Sequence, residues 1–225
     1  MKPPFCPVCC SHETEHLIEI GGLQYWKCDV CAARFLDPSQ HPSAEVEYNQ
    51  YTLHRNDPDD VRYRTFLSKL VDPLLAVLEG PSEGLDYGCG PGPALAAMMH
   101  EAGHSMSLHD PFFFPGREPL ERTYDFLTST ETAEHFHNPA MEFDRIDRLV
   151  RPRGWIGIMT SFQTDDEKFA DWHYRKDPTH VVFYRKETFQ VIAAARGWSC
   201  TIPAPNIVLM QKSSHSVGKS SPISR

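Results

Sequence analysis

Four cysteines stand in two short pairs, Cys6-Pro7-Val8-Cys9 and Cys28-Asp29-Val30-Cys31, with 18 residues between the pairs. Two thiolates from each pair complete the tetrahedral coordination of one Zn²⁺, and four thiolates leave no open position, so the expected zinc is structural. A second constellation is Asp86-Tyr87-Gly88-Cys89-Gly90-Pro91-Gly92. Alternate glycines remove Cβ atoms from a turn, so a ligand can lie against bare backbone and the N–H groups of a following helix. Asp110 comes 18 residues after Gly92, close to the spacing at which an acid in nucleotide-binding βαβ units holds ribose hydroxyls. A third concentration of polar groups runs from Ser129 to His135 and is answered by His180 further on. An imidazole titrates near neutral pH and can take a proton from an acceptor, which makes His135 and His180 candidate general bases.

The elements that must position these residues are legible in outline. Residues 1–40 read as a zinc ribbon, with strands at 17–20 and 23–27 about a Gly21-Gly22 turn. So short a segment has too little apolar area to fold alone, and the metal supplies the missing free energy. Residues 41–60 are polar and proline-rich and read as a linker, within which Tyr48 and Tyr51 are expected to pack. A helix is expected over 61–78, its apolar stripe running through Phe66, Leu67, Leu70, Val71, Leu74, Leu75 and Leu78, with Pro73 bending or dividing it. A strand then leads into Asp86, a helix covers 94–102, and a strand over 105–110 ends in Asp110. Only 13 residues separate Asp110 from the next strand at 124–128, too few for both a helix and a strand of ordinary length. The edge of the sheet should therefore be shortened, with Phe112, Phe113 and Phe114 largely covering it. A helix over 138–149, a buried strand over 155–160, a helix at 186–196 and a terminal pair near 199–202 and 206–211 complete the domain, 61–211. The Ser- and Lys-rich tail, 212–225, is expected to be disordered.

The glycine loop and the acid at the end of the second strand resemble the first two motifs of class I S-adenosylmethionine-dependent methyltransferases. A dehydrogenase would more usually show Gly-x-Gly-x-x-Gly. The resemblance implies a Rossmann-like α/β fold, three layers αβα about a mostly parallel sheet whose last strand runs antiparallel. It also implies that Asp86, Gly88, Cys89, Gly90, Gly92 and Asp110 hold S-adenosylmethionine, with Ser129 and Thr130 flanking its methionine end. The passage around Glu131-x-x-Glu134-His135 is similar to two metal-using branches, the ubiquinone-pathway O-methyltransferases and the small-RNA 2′-O-methyltransferases. On that similarity Glu131, Glu134, His135 and His180 form an oxygen- and nitrogen-rich site for Mg²⁺, Mn²⁺ or Fe²⁺, which would lower the pKa of an acceptor hydroxyl. Trp172-His173-Tyr174 near His180 suggests an aromatic lid over a small substrate.

Composition bounds the rest. The 13 Phe, 8 Tyr and 4 Trp can furnish a core for a chain of 225 residues. A net charge of −8 with no basic block disfavours bare nucleic acid as a partner. No apolar run approaches a membrane span and no signal peptide is seen, so a cytoplasmic enzyme is expected, and the seven cysteines suit a reducing compartment. The expected reaction is methyl transfer to a hydroxyl, or less readily a carbon, of a small metabolite. The rivals are an RNA-modifying methyltransferase and a non-catalytic protein whose ribbon docks a partner.

Overall fold

The computed structural model describes residues 2–53 and 56–214; of the expected disordered tail, 215–225 lie outside the described residues. The chain opens with β1 (Thr14–Ile20), β2 (Leu23–Cys28) and β3 (Arg34–Leu36). The tight turn between β1 and β2 is Gly21-Gly22, both at positive φ, as expected. The third strand and what it does were not foreseen. β3 pairs antiparallel with β8 (Val182–Phe183), giving a four-stranded sheet of order β1-β2-β3-β8. The ribbon's sheet thus contains a strand from the far end of the chain. Its apolar residues, Tyr25 and Phe35 among them, join one continuous core with Phe143, Ile156 and Phe189.

The second sheet carries β4 (Glu83–Tyr87), β5 (Ser105–His109), β6 (Tyr124–Thr130), β7 (Val150–Met159), β9 (Ser199–Ala204) and β10 (Ile207–Gln211). Its order is β5-β4-β6-β7-β10-β9, with the first four strands parallel and β10 antiparallel to both neighbours. The antiparallel strand was expected, as was the shortened edge: the sheet stops at β5, and a single 3-10 turn (Glu118–Glu121) fills the connection to β6. Leu85, Phe126, Leu127, Ile156 and Ile158 are fully buried, as strands covered on both faces require. One face is covered by α2 (Val61–Leu75) and α3 (Ala94–Glu101), whose Leu67, Leu70, Leu74, Leu95 and Met99 meet Phe126 and Leu209. The other face is covered by α4 (Pro139–Leu149) and α5 (Lys186–Arg196), through Phe143, Ile146, Phe189 and Ile192. Gly84 is needed where β4 meets β6, since a Cβ there would stand 2.2 Å from Phe126 Cζ.

Three local expectations change. Segment 41–60 carries the helix α1 (Ala44–Tyr51), started by Ser43, whose hydroxyl accepts from the Val46 amide. Helix α2 passes through Pro73 undivided and ends at Leu75 rather than Leu78. A proline so close to the end removes an amide bond from only the last turn. The start of the tail is held: the Lys212 amide donates to Gly154 O at 3.0 Å and its ammonium to Asp147 O and Val150 O.

Candidate functional site

The glycine loop joins β4 to α3. Gly88 lies at φ +79°, and a Cβ there would sit 2.1 Å from Thr132 Cγ2, so only glycine fits. Gly90, at φ +63°, turns its N–H to Asp110 Oδ2 at 3.0 Å. The other oxygen of Asp110 accepts from the Phe112 and Phe113 amides at 2.9 and 3.0 Å. The acid at the end of β5 therefore locks the glycine loop to the following turn. Asp86 is 3% exposed and accepts from Thr128 Oγ1 at 3.0 Å; burial pushes its pKa up to about 7. Burial also raises the Cys89 thiol. Ser129 and Thr130 end β6 with hydroxyl oxygens that are buried and have no hydrogen-bond partner. Buried polar atoms are normally paired, so these two orphans, beside a loop stripped of Cβ atoms, fit a polar ligand such as the methionine end of the cofactor. Tyr63 in the first turn of α2 belongs to the same neighbourhood: burial and the charges of Asp86 and Glu131 push its phenol up to about 12. Nothing in its spacing distinguished it from the apolar stripe it adjoins.

A second cluster forms where a 3-10 turn, Ala133–His135, follows β6. Tyr184 Oη pins the turn by donating to Ala133 O at 2.9 Å. Glu134 is fully buried; its Oε1 accepts from Tyr174 Oη, which also bonds Thr160 Oγ1 at 3.1 Å. The other carboxyl oxygen, Oε2, is buried with no partner. His180 Nδ1 lies 2.6 Å from Tyr174 O, and His135 Nδ1 lies 3.0 Å from Thr179 O. A carbonyl can only accept, so Nδ1 of each ring carries a proton. The ring centroids are 4.7 Å apart. Ligand atoms of Glu134, His135 and His180 all lie within 4.8 Å of one another. Glu131, expected as a fourth member, is outside that group. It sits at φ +48°, and burial together with the Glu134 charge pushes its carboxyl up to about 9. Burial raises Glu134 and lowers His180 as well.

The aromatic residues near this cluster take different places from those expected. Tyr174 is no lid: it is 7% exposed, beneath His180, with ring centroids 4.2 Å apart. His173 is exposed and Trp172 packs on Phe183 of the ribbon sheet. Tyr51 of α1 instead lies 5.1 Å from the His135 ring and 5.4 Å from Phe112, while Tyr48 stacks on Phe113. Gln50 donates to Asp177 Oδ2 at 3.2 Å. The expected packing of the two tyrosines thus bridges the turn after Asp110 and the Glu134 cluster.

At the ribbon, Cys6 Sγ to Cys31 Sγ and Cys9 Sγ to Cys28 Sγ are both 3.5 Å, and all four sulfurs lie within 4.8 Å of one another. Tetrahedral Zn–S bonds of about 2.3 Å imply S···S edges of about 3.8 Å. The cluster fits that ion with little adjustment. Cys10, adjacent to Cys9, is exposed and outside the group.

A family model described as a methyltransferase domain matches residues 60–201. The chain belongs to that methyltransferase family. Its fold is also that of a Burkholderia thailandensis 1,6-didemethyltoxoflavin-N1-methyltransferase solved with bound 1,6-didemethyltoxoflavin and S-adenosylhomocysteine. The two are 16% identical over 88% of this chain and 99% of that one, with TM-score 0.55. A putative sarcosine dimethylglycine methyltransferase from Galdieria sulphuraria aligns at 14% identity over 76% of this chain and 98% of that one, with TM-score 0.52. No curated protein matches in sequence. The methyltransferase is S-adenosylmethionine-dependent, and among its described residues no helix is long and apolar enough to cross a membrane.

Proposed function

We propose that the methyltransferase transfers the methyl group of S-adenosylmethionine to a hydroxyl of a small metabolite, and that Glu134, His135 and His180 handle that hydroxyl through a bound divalent cation. One observation carries the reading. Two imidazoles are each held through Nδ1–H by a backbone carbonyl, and ligand atoms of both lie within 4.8 Å of a buried carboxylate with one unpartnered oxygen. Ligating histidines characteristically donate their second nitrogen in this way, which fixes both tautomer and ring angle. Mixed imidazole and carboxylate donors suit Fe²⁺ or Mn²⁺, and Mg²⁺ to a lesser degree. Glu131 lies close enough to feel the charge of Glu134 and is the available further carboxylate. In the ribbon, Cys6, Cys9, Cys28 and Cys31 hold a structural Zn²⁺.

When bound, S-adenosylmethionine would supply a methyl carbon for in-line attack by an acceptor oxygen, with S-adenosylhomocysteine leaving as the neutral thioether, so most of the enzyme's task is positioning. Asp86, Gly88, Cys89, Gly90 and Gly92 form the cradle, with Asp110 at its ribose side and the free hydroxyls of Ser129 and Thr130 toward the methionine end. The Glu134 cluster starts a few residues beyond those hydroxyls on the same strand end, where a hydroxyl held by it would face the donor. A cation there would act as a Lewis acid on the acceptor oxygen. Tyr51 and Phe112 wall the space between the two halves with aromatic surface, which suits a planar small molecule. The two structural neighbours, whose names specify small-molecule acceptors, favour that class, and the net charge of −8 disfavours RNA.

The test is calorimetric titration with S-adenosylhomocysteine, elemental analysis, and Mn²⁺ binding followed by electron paramagnetic resonance. Micromolar homocysteine-ligand binding, one zinc per chain and one Mn²⁺ site lost in Glu134→Gln are expected. Nucleoside binding without any Mn²⁺ site would leave His135 or His180 as a general base. No nucleoside binding by folded, ligand-free protein would sink the cofactor assignment.

A further inference from the structure

The ribbon and the acceptor cluster are far apart in sequence but joined by two successive backbone hydrogen bonds. The Leu36 amide at the end of β3 donates to Val181 O at 2.9 Å, and the Val181 amide donates to Glu134 O at 2.9 Å. Val181 directly follows His180, and β8 begins at the next residue. One residue thus receives the ribbon on its carbonyl and delivers Glu134 from its amide. β3 adds the register Arg34↔Phe183 and Phe35↔Val182.

Side chains reinforce the link. Arg34 is 6% exposed and forms a two-pronged pair with Asp166 at 2.8 and 2.6 Å; Asp166 also receives Arg185 at 3.0 Å. Bidentate Arg–carboxylate pairs fix orientation as well as distance. Tyr25 of β2, Phe169 and Phe183 form edge contacts at 5.1 Å. On the other side the Ala140 amide donates to Pro7 O, inside the first cysteine pair, at 3.0 Å. No comparable bond among the described residues runs from the ribbon to the glycine loop or to Asp110.

We infer that the tetracysteine ribbon is a positioning element of the acceptor cluster: through β3 and Val181 it sets the separation of Glu134 from His180, while the glycine loop, which the ribbon does not bond among the described residues, is held by Asp110 and by Thr132 Oγ1 on Gly88 O at 3.0 Å. This rests on the reading of Glu134, His135 and His180 as the acceptor site. The physical reason is that β8 has only two residues, and so short a strand has no stability without a partner. Without β3, the segment carrying Thr179 and His180 would lose its edge pairing, and with it the carbonyls and amides that orient both imidazoles and Glu134.

Two full-length variants test the inference. Cys31→Ser removes a zinc ligand. Leu36→Pro keeps all four thiolates, removes the N–H that reaches Val181 O together with the buried Leu36 side chain, and fixes φ at the end of β3. Amide hydrogen exchange reads each segment's local opening, and the ¹⁵N spectrum of the His180 ring reads its tautomer. Expected in both variants is at least tenfold faster exchange over 131–137 and 178–184, with the His180 ring shifting from the Nδ1–H form to a mixture. Exchange over 85–92 and 105–110 should stay within twofold, and S-adenosylhomocysteine affinity within threefold. Should Cys31→Ser unfold the whole chain, Leu36→Pro with its zinc retained decides. If 131–137 and 178–184 exchange as in the parent while His180 keeps its tautomer, the inference is overturned. None of these readouts needs a second metal, so absence of Mn²⁺ binding would remove the cation from the proposed function without touching the ribbon's role.

Discussion

The two halves of the candidate site are built on different principles. The proposed nucleoside half is a single stretch of chain, 86–92, whose amides at Gly88, Cys89 and Gly90 are tied to His109 O and Asp110 at the end of the adjacent strand. The acceptor half takes Glu134 and His135 from the end of β6 and His180 from the segment before β8, with Tyr174 and Val181 holding them. Backbone geometry written locally needs little support. Side chains gathered across more than 40 residues must be held by everything behind them, and here that includes a separate small sheet. The difference teaches that the two halves should fail separately.

The largest expected effect comes from striking the support of the acceptor half. Cys31→Ser should cost about 3–5 kcal/mol, read as a melting temperature lower by about 10 °C, because a closed thiolate site contributes folding free energy directly. A melting temperature unchanged within about 2 °C would mean that the cysteines hold no ion. In the nucleoside half, Asp86 is fully buried with a pKa raised to about 7, against about 4 unfolded. Between those values the folded chain keeps a proton that the unfolded chain has lost, so stability falls as pH rises through the window. The stability of the protonated form is complete below about pH 4 and gone above about pH 7, at most about 4 kcal/mol. Asp86→Asn should abolish that slope; parallel stability–pH curves for parent and variant would refute the shift.

Smaller effects should separate binding from acceptor chemistry. Gly88→Val places a side chain where Thr132 stands and forces it to positive φ. It should weaken S-adenosylhomocysteine binding by roughly 100-fold, about 2.7 kcal/mol, while calorimetry finds the zinc-dependent part of stability intact. Tyr174→Phe removes the donor to Glu134 Oε1 and leaves the nucleoside half alone. Loss of such a supporting partner typically costs about 10-fold in metal affinity or more, so Mn²⁺ binding should weaken by that factor at unchanged S-adenosylhomocysteine affinity. Equal losses of both affinities would erase the distinction between the halves.

Legibility in the sequence followed the same division. The cysteine pairs, the glycine loop, Asp110 and the missing length before β6 were all readable, because each is a short spacing with one geometric consequence. The apolar stripes of α2 and α4 announced their helices. Helix α1 was hidden in a polar segment since its buried contacts are few and its start depends on a serine cap. Tyr174 was noticed for its aromaticity, yet its role under Glu134 is set by burial. Tyr63 was missed because a tyrosine at the edge of an apolar stripe looks like packing until Asp86 and Glu131 stand beside it. The similarity to metal-using branches puts Glu131 with Glu134, but it lies outside the three clustered donors, at φ +48°.

What the sequence determined by itself is the pair of local devices, a four-thiolate cluster and a strand-to-helix loop free of Cβ atoms, together with an α/β domain to carry the loop. Only the tertiary structure decided that the ribbon ends in β3 on β8, that Val181 links it to Glu134, and that both imidazoles are turned by carbonyls of the same segment. A local device needs the right residue types at short range, where the chain itself limits the geometry. Strand pairing between residues 36 and 181 is chosen by packing summed over the whole core, and no single window of sequence contains that sum.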